Sequence, residues 1–306
     1  MAYYKAFEKG LICRGKQYAE NTIFEEQGAD RCCTEGVMHF CKEPFDTLKY
    51  YPLVDGNGDF SEFAIIEPLD DIIEESYKCA SKKIRIKEKL TFSEFIKKAV
   101  AKINGKRNDG PKPSISTTSR DFARIGSSGD YARIGSSGYG ARIGSSGYGA
   151  RICSSGYGAQ IGSIGDGARI GSSGYGAQIG SCGYGSQISS GGDFAQIGSS
   201  GDYTQISSGG FDVRIGSSGD YARIGSSGDY ARINMTGERS VASCVGYRGT
   251  IKGTKGCWIV LTEWQEVDNK MIPVCVKCGQ IDGKILKENV FYTLKNGEFV
   301  EEEEDQ

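Results

Sequence analysis

The chain has 306 residues and only one histidine, His39, so it offers no histidine-based metal cluster. It has no excess of charge of either sign. Its 37 Lys and Arg stand against 39 Asp and Glu, for a formal net charge of -2. That balance excludes a strongly basic nucleic-acid binder and also an acidic mimic of DNA, so nucleic acid is not expected as a direct ligand. No stretch approaches the roughly 18 apolar residues of a membrane-spanning helix. The opening "MAYYKAFEKGLICRG" has no charged segment followed by an apolar run, so no secretory leader is expected. The 11 cysteines are odd in number and irregularly spaced, which fits reduced thiols in a cytosol better than a disulfide framework. Hydrophobic residues make up only 38%. The deficit lies in the middle of the chain, where the 45 glycines concentrate, so the middle and the ends are different objects.

The middle is a repeat. Thirteen isoleucines from Ile125 to Ile233 fall nine residues apart without a slip, and the phase continues through Ala242 and Ile251. Fixed periodicity of this kind predicts a solenoid. In "YARI" the side chains alternate as in a strand, so Ala and Ile share one face while Arg or Gln and the ring share the other. The following "GSSG" suits a tight turn. Helix is disfavoured, because each unit carries two or three glycines at about 1 kcal/mol each. One nonapeptide cannot close around an apolar core, but two can. The expected fold is therefore mainly β: a parallel β-solenoid of about seven 18-residue coils, two nonapeptides each, roughly 35 Å long at about 4.8 Å per coil. Its core is a ladder of Ile interleaved with Ala. Two spellings, "GDYA" and "GYGA", exchange the ring between adjacent positions, so a ring fills similar space from either.

The residue before each Ile defines an outer row. It is Arg at Arg124, Arg133, Arg142 and Arg151, mostly Gln at Gln160, Gln178, Gln187, Gln196 and Gln205, and Arg again at Arg214, Arg223 and Arg232. Stacked Gln side chains can hydrogen-bond along a ladder. Stacked Arg repel one another unless a carboxylate lies near, and Asp130, Asp202, Asp220 and Asp229 are the candidates. Tyr and Arg are enriched at binding hot spots. The expected partner-binding residues are accordingly these seven Arg with Tyr131, Tyr203, Tyr221 and Tyr230. A calcium-binding nonapeptide roll needs Asp two before the apolar residue, whereas here it lies four before Ile. An ice-binding solenoid needs a flat Thr array, and this one is charged.

The flanks read as globular. Residues 1–104 look like an α+β head, with strands at "SEFAIIEPL" and "KKIRIKEKL", a short helix at "EPFDTLKYY", and a helix over "FSEFIKKAVAKI" opened by a Thr91/Glu94 capping box. Residues 105–119 read as a linker and 120–255 as the solenoid. Residues 256–306 read as a C-terminal β cap with hairpin signals and an acidic tail, "EEEEDQ". Cys275 and Cys278 form one C-x-x-C, which zinc would bind only with two more ligands, Cys244 and Cys257 being the candidates. Cys32 and Cys33 are adjacent and read as buried or free thiols. No cofactor or metal is expected.

The segments "YYKAFEKGLICRGKQYAENTIFE", "GVMHFCKEPFDTLKYYP" and "GQIDGKILKENVFYTLKNGEFV" resemble an uncharacterised bacteriophage and prophage family that pairs such ends with a Gly-rich repeat. The resemblance implies a phage protein acting in the bacterial host cytoplasm. Together with the solenoid it leads to a binding protein that inhibits a host protein or complex, such as a component of antiviral defence, and that can itself pair as a homodimer. Two alternatives stand beside it. One is a virion or assembly component. The other is an ADP-ribosyltransferase-like enzyme, because the strand around His39, the helix ending in Tyr50 and Tyr51, and "FAIIE" with Glu67 are similar to the NAD-binding half of that fold.

Overall fold

The computed structural model describes residues 2–28, 36–105 and 115–302. Cys32 and Cys33, most of the expected linker and the last four residues of the acidic tail lie outside the described residues.

The head is built on a four-stranded antiparallel sheet in the order Tyr3–Phe7, Glu62–Pro68, Lys83–Leu90, Thr22–Glu25. A three-stranded sheet of Met38–Phe40, Lys78–Ser81 and Ile73–Glu75 packs beside it. Alternation along the strands gives the larger sheet two apolar faces. One packs Phe7, Met38, Phe40, Ile66, Ile84 and Ile86. The other packs Tyr4, Phe45, Leu48, Phe63 and the helix α1, Phe92–Asn104. α1 begins at the expected capping box: the Thr91 hydroxyl accepts the Glu94 N–H, and the Glu94 carboxylate accepts the Thr91 N–H at 2.8 Å. The helix expected at "EPFDTLKYY" is a 3-10 helix, Pro44–Lys49, with Pro44 where a missing N–H costs nothing.

The middle is the parallel β-solenoid. Each nonapeptide makes one four-residue strand and a turn, and strands 18 residues apart pair in register, Ile on Ile. In "RIGS" the Ile and Ser point inward, and the Arg and Gly point outward. The inward isoleucines from Ile125 to Ile259 form one continuous core. Each contributes about 1.5–3 kcal/mol. The solenoid has about eight coils rather than seven. Its first strand, Ile115–Thr118, pairs with Arg133–Ser136 inside the segment read as linker, where Ser116 hides the rung by occupying the isoleucine slot. Its last, Trp258–Val267, brings Ile259 into line with Ala242 after a 17-residue step instead of 18.

The exchange of rings between two positions has a geometric basis. The second turn residue is left-handed, whether Tyr131 (φ 55°) or Gly140 (φ 59°). Rings in the same position on successive coils lie parallel, as Tyr139 on Tyr157 (6°) and Tyr203 on Tyr221 (9°). Where the ring moves back from the second position to the first, the contact turns edge-on, as Tyr131 to Tyr148 (81°) and Tyr230 to Tyr247 (90°). A Cβ at Gly149 would lie 2.9 Å from the Tyr131 ring, so a side chain there would have to shift that ring, whereas the same switch at Tyr230–Tyr247 carries Arg248 in the left-handed position.

The C-terminal cap closes the last coil. Trp258–Val267 pairs antiparallel with Lys270–Gln280, and Tyr292–Lys295 bridges from the other sheet to Glu298–Glu301. Ile281, Leu286, Tyr292 and Leu294 cover the terminal isoleucines. The Asn296–Gly297 turn is held by the Glu263 carboxylate, which accepts both backbone N–H groups at 2.9 and 2.8 Å.

Candidate functional site

The two sheets of the solenoid have different fates, and the arginines divide with them. One sheet, the docked sheet, contains the strands starting at Arg124, Arg142, Gln160, Gln178, Gln196, Arg214, Arg232 and Thr250. The head lies along it. α1 and its neighbours rest on the outward glycines: a Cβ at Gly162 would meet Val100 and Phe45, and one at Gly198 would meet Phe92 and Phe60. The glutamines form the expected ladder, Gln160 to Gln178 at 3.2 Å and Gln178 to Gln196 at 3.4 Å. They also bond the head, donating to the Phe45 and Leu48 carbonyls and accepting the Leu53 N–H. Every arginine of this row meets a carboxylate. Arg142 is buried against Asp46, Arg124 pairs with Glu43 at 3.4 Å, Arg214 with Asp212 at 3.9 Å, and Arg232 with Glu302 at 3.3 Å. Arg232 also lies over the Phe291 ring. These four candidate contact residues are engaged within the molecule.

The other sheet, the open sheet, runs through Arg133, Arg151, Arg169, Gln187, Gln205, Arg223, Val241 and Trp258. Its outer row is exposed, and Arg133, Arg151, Arg169 and Arg223 form no ion pair among the described residues. Arg169, absent from the sequence-derived set, belongs to this row. A shallow trough runs along it past Arg151, Arg169, Gln187, Gln205 and Arg223. A Cβ at Gly171, in its floor, would meet only a carbonyl oxygen at 4.0 Å.

The carboxylates expected beside the arginines are elsewhere. Asp130, Asp202, Asp220 and Asp229 sit at the first turn position, and each accepts a backbone N–H from the coil above: Tyr148, Asp220, Glu238 and Tyr247. They tie turns together and leave the open row uncompensated.

Columns of rings flank the open sheet. Tyr131, Tyr203 and Tyr221 belong to one, with Tyr148 and Tyr184. That column breaks at Asp166 and Gly167, beside Arg169. Tyr230 belongs to the other, which stacks from Phe122 to Tyr247 without a break.

The head holds a separate cavity of about 510 Å³. His39, Tyr50 and Tyr51 border it; Glu67 does not, being paired with Arg85 at 3.0 Å on the larger sheet. Of the cysteines, Cys275 and Cys278 lie on one strand and pair opposite Glu263 and Val260, while Cys244 and Cys257 are buried in the solenoid core. Burial raises the Cys244 thiol to about 12. Among the described residues no three His, Cys, Asp or Glu side chains gather as a metal would require, and no helix is long and apolar enough to cross a membrane.

Residues 1–98, essentially the head, match the family described as a domain of unknown function, DUF7666. No curated protein and no solved structure matches the chain.

Proposed function

We propose that the protein acts by binding another protein through the open solenoid sheet, and that the partner presents an acidic surface. One contrast carries this reading. All four arginines of the docked row have carboxylate partners, whereas Arg133, Arg151, Arg169 and Arg223 have none among the described residues and stand exposed on one flat face. Unpaired like charges stacked on successive rungs repel one another, and a complementary surface would relieve that repulsion. Tyr131, Tyr203, Tyr221 and Tyr230 line the edges of the same face and supply large rigid contact area. The phage resemblance of the ends supports a bacterial host protein as the partner, with inhibition of an antiviral defence component as the outcome for the cell.

The test is affinity capture from a bacterial lysate, run with wild type and with Arg151→Glu/Arg169→Glu. A stoichiometric acidic protein that is lost with the double variant and eluted by moderate salt supports the reading. Partners that survive the charge reversal overturn it. So does preferential capture of nucleic acid, which would make the arginine row a phosphate-tracking surface.

A further inference from the structure

The cavity in the head is electropositive, and nothing in the binding role of the solenoid uses it. Among the described residues, four cationic side chains border it, Lys5, Arg14, Lys16 and Lys78, against one carboxylate in its lining, Glu26, and Lys78 pairs with Glu75 at 3.8 Å outside that lining. Glu26 pairs with Lys16. Lys5 is 5% exposed, yet among the described residues its ammonium reaches no carboxylate: it donates to the His39 carbonyl at 2.9 Å and lies 3.4 Å from the Cys13 sulfur. Arg14 likewise forms no ion pair among the described residues. A buried ammonium without a counter-ion is costly, and an arrangement that keeps several cations around one cavity is stabilised by an anion within it. His39 reports the same field. Burial and then the charges of Lys5, Lys78 and Arg14 push its imidazole down to about 4, with only Glu26 opposing.

Charge and shape narrow the class. A single carboxylate would balance only one of the cations, whereas a phosphate monoester carries about -1.5 to -2 at neutral pH and offers three strong acceptor oxygens. The cavity is larger than an inorganic ion needs and lies within the usual range of small-molecule sites, about 300–1,000 Å³. Tyr50, half-exposed, and Tyr51 add aromatic surface at its border. We infer that this cavity of the head is a binding site for a small phosphate-bearing organic molecule, with Lys5 and Arg14 receiving the phosphate and the tyrosines receiving the organic part.

The test uses the full chain with AMP, ribose 5-phosphate and inorganic phosphate as probes, and sodium acetate at matched ionic strength as the control. Binding is followed by calorimetry, and by the proton resonance of His39, unambiguous because it is the only histidine. The expected result is that at least one organic phosphate binds more tightly than inorganic phosphate and that Arg14→Ala weakens it by about tenfold. The His39 titration should also move upward from about 4, since an anion favours the imidazolium. Arg14 is exposed, so its replacement leaves the fold intact. Organic phosphates that bind no better than acetate overturn the assignment. Binding indifferent to Arg14→Ala, with a stationary His39 titration, overturns it too.

Discussion

Replacing one glycine by alanine in each sheet, nine residues apart modulo the coil, separates the two faces energetically. At Gly198, on the docked sheet, an added Cβ would stand 2.7 Å from Phe92 Cζ and 2.9 Å from Phe60 Cε1. Those two rings stack on each other with centroids 4.3 Å apart, so neither yields without moving the other. Overpacking of this kind costs about 1–3 kcal/mol. At Gly171, on the open sheet, the nearest atom would be 4.0 Å away, in ordinary contact. Neither glycine has a positive φ, so alanine fits both backbones and stabilises through the unfolded chain by about 0.4–1 kcal/mol. Gly171→Ala should therefore be neutral or stabilising, and Gly198→Ala destabilising. The unfolded-chain gain is common to both, so the variants should differ by the overpacking cost, about 1–3 kcal/mol, or roughly 2–12 °C in thermal midpoint, read by circular dichroism. Equal midpoints for the two variants would refute the claim that the head seats on the glycine row.

Arg142→Ala should strand the buried Asp46 carboxylate, with only Lys49 at 3.8 Å remaining, and cost about 3 kcal/mol, whereas Arg133→Ala on the open sheet should change stability by less than about 0.5 kcal/mol in urea unfolding. Ser181 is fully buried and its hydroxyl has no partner among the described residues, while the Ser199 hydroxyl donates to Thr204 at 3.0 Å. Ser181→Ala should thus be neutral or stabilising, and Ser199→Ala destabilising by about 0.5–1.5 kcal/mol; the reverse order would contradict the hydrogen-bond assignment. The depressed His39 means that the unfolded chain binds a proton that the folded chain refuses between about pH 6.5 and 4. Its contribution is neutral above that window and becomes destabilising as pH falls through it, so His39→Gln should flatten the acid limb of the stability profile.

The solenoid was legible because one residue type, Ile, must recur inward at every strand, and a nine-residue period then admits few closures. α1 was legible from its cap. The sorting of the faces was missed because averaging over nine residues erases it. Read at eighteen, the first six outward slots of the docked sheet, Gly126, Gly144, Gly162, Gly180, Gly198 and Gly216, are all glycine, and only the last two differ, as Asn234 and Lys252. Those of the open sheet run Gly135, Cys153, Gly171, Ser189, Ser207 and Gly225. A row that tolerates only hydrogen at Cα is a row with something lying on it. The role of the aspartates was misread because an outer row of Arg invites a salt-bridge reading. A turn carboxylate instead finds an N–H of the next coil first. The cavity was illegible for a different reason: Lys5, Arg14, His39 and Lys78 meet only through sheet packing, and no local pattern joins them.

The head touches the docked sheet from the Glu43–Arg124 pair at one end to the Asp59–Lys252 pair at 3.2 Å at the other, seven coil steps or about 34 Å apart. Tandem DNA repeats gain and lose copies easily by slippage. Here, loss of a single nonapeptide would exchange the two faces for everything downstream, putting Cys and Ser under α1 and turning the cap to the wrong side. Loss of a full coil would keep the faces but pull Lys252 a rung away from Asp59. The head thus acts as a gauge on the gene: it holds the copy number of an array that would otherwise drift, and any natural change in length should arrive in steps of eighteen residues together with changes in the head.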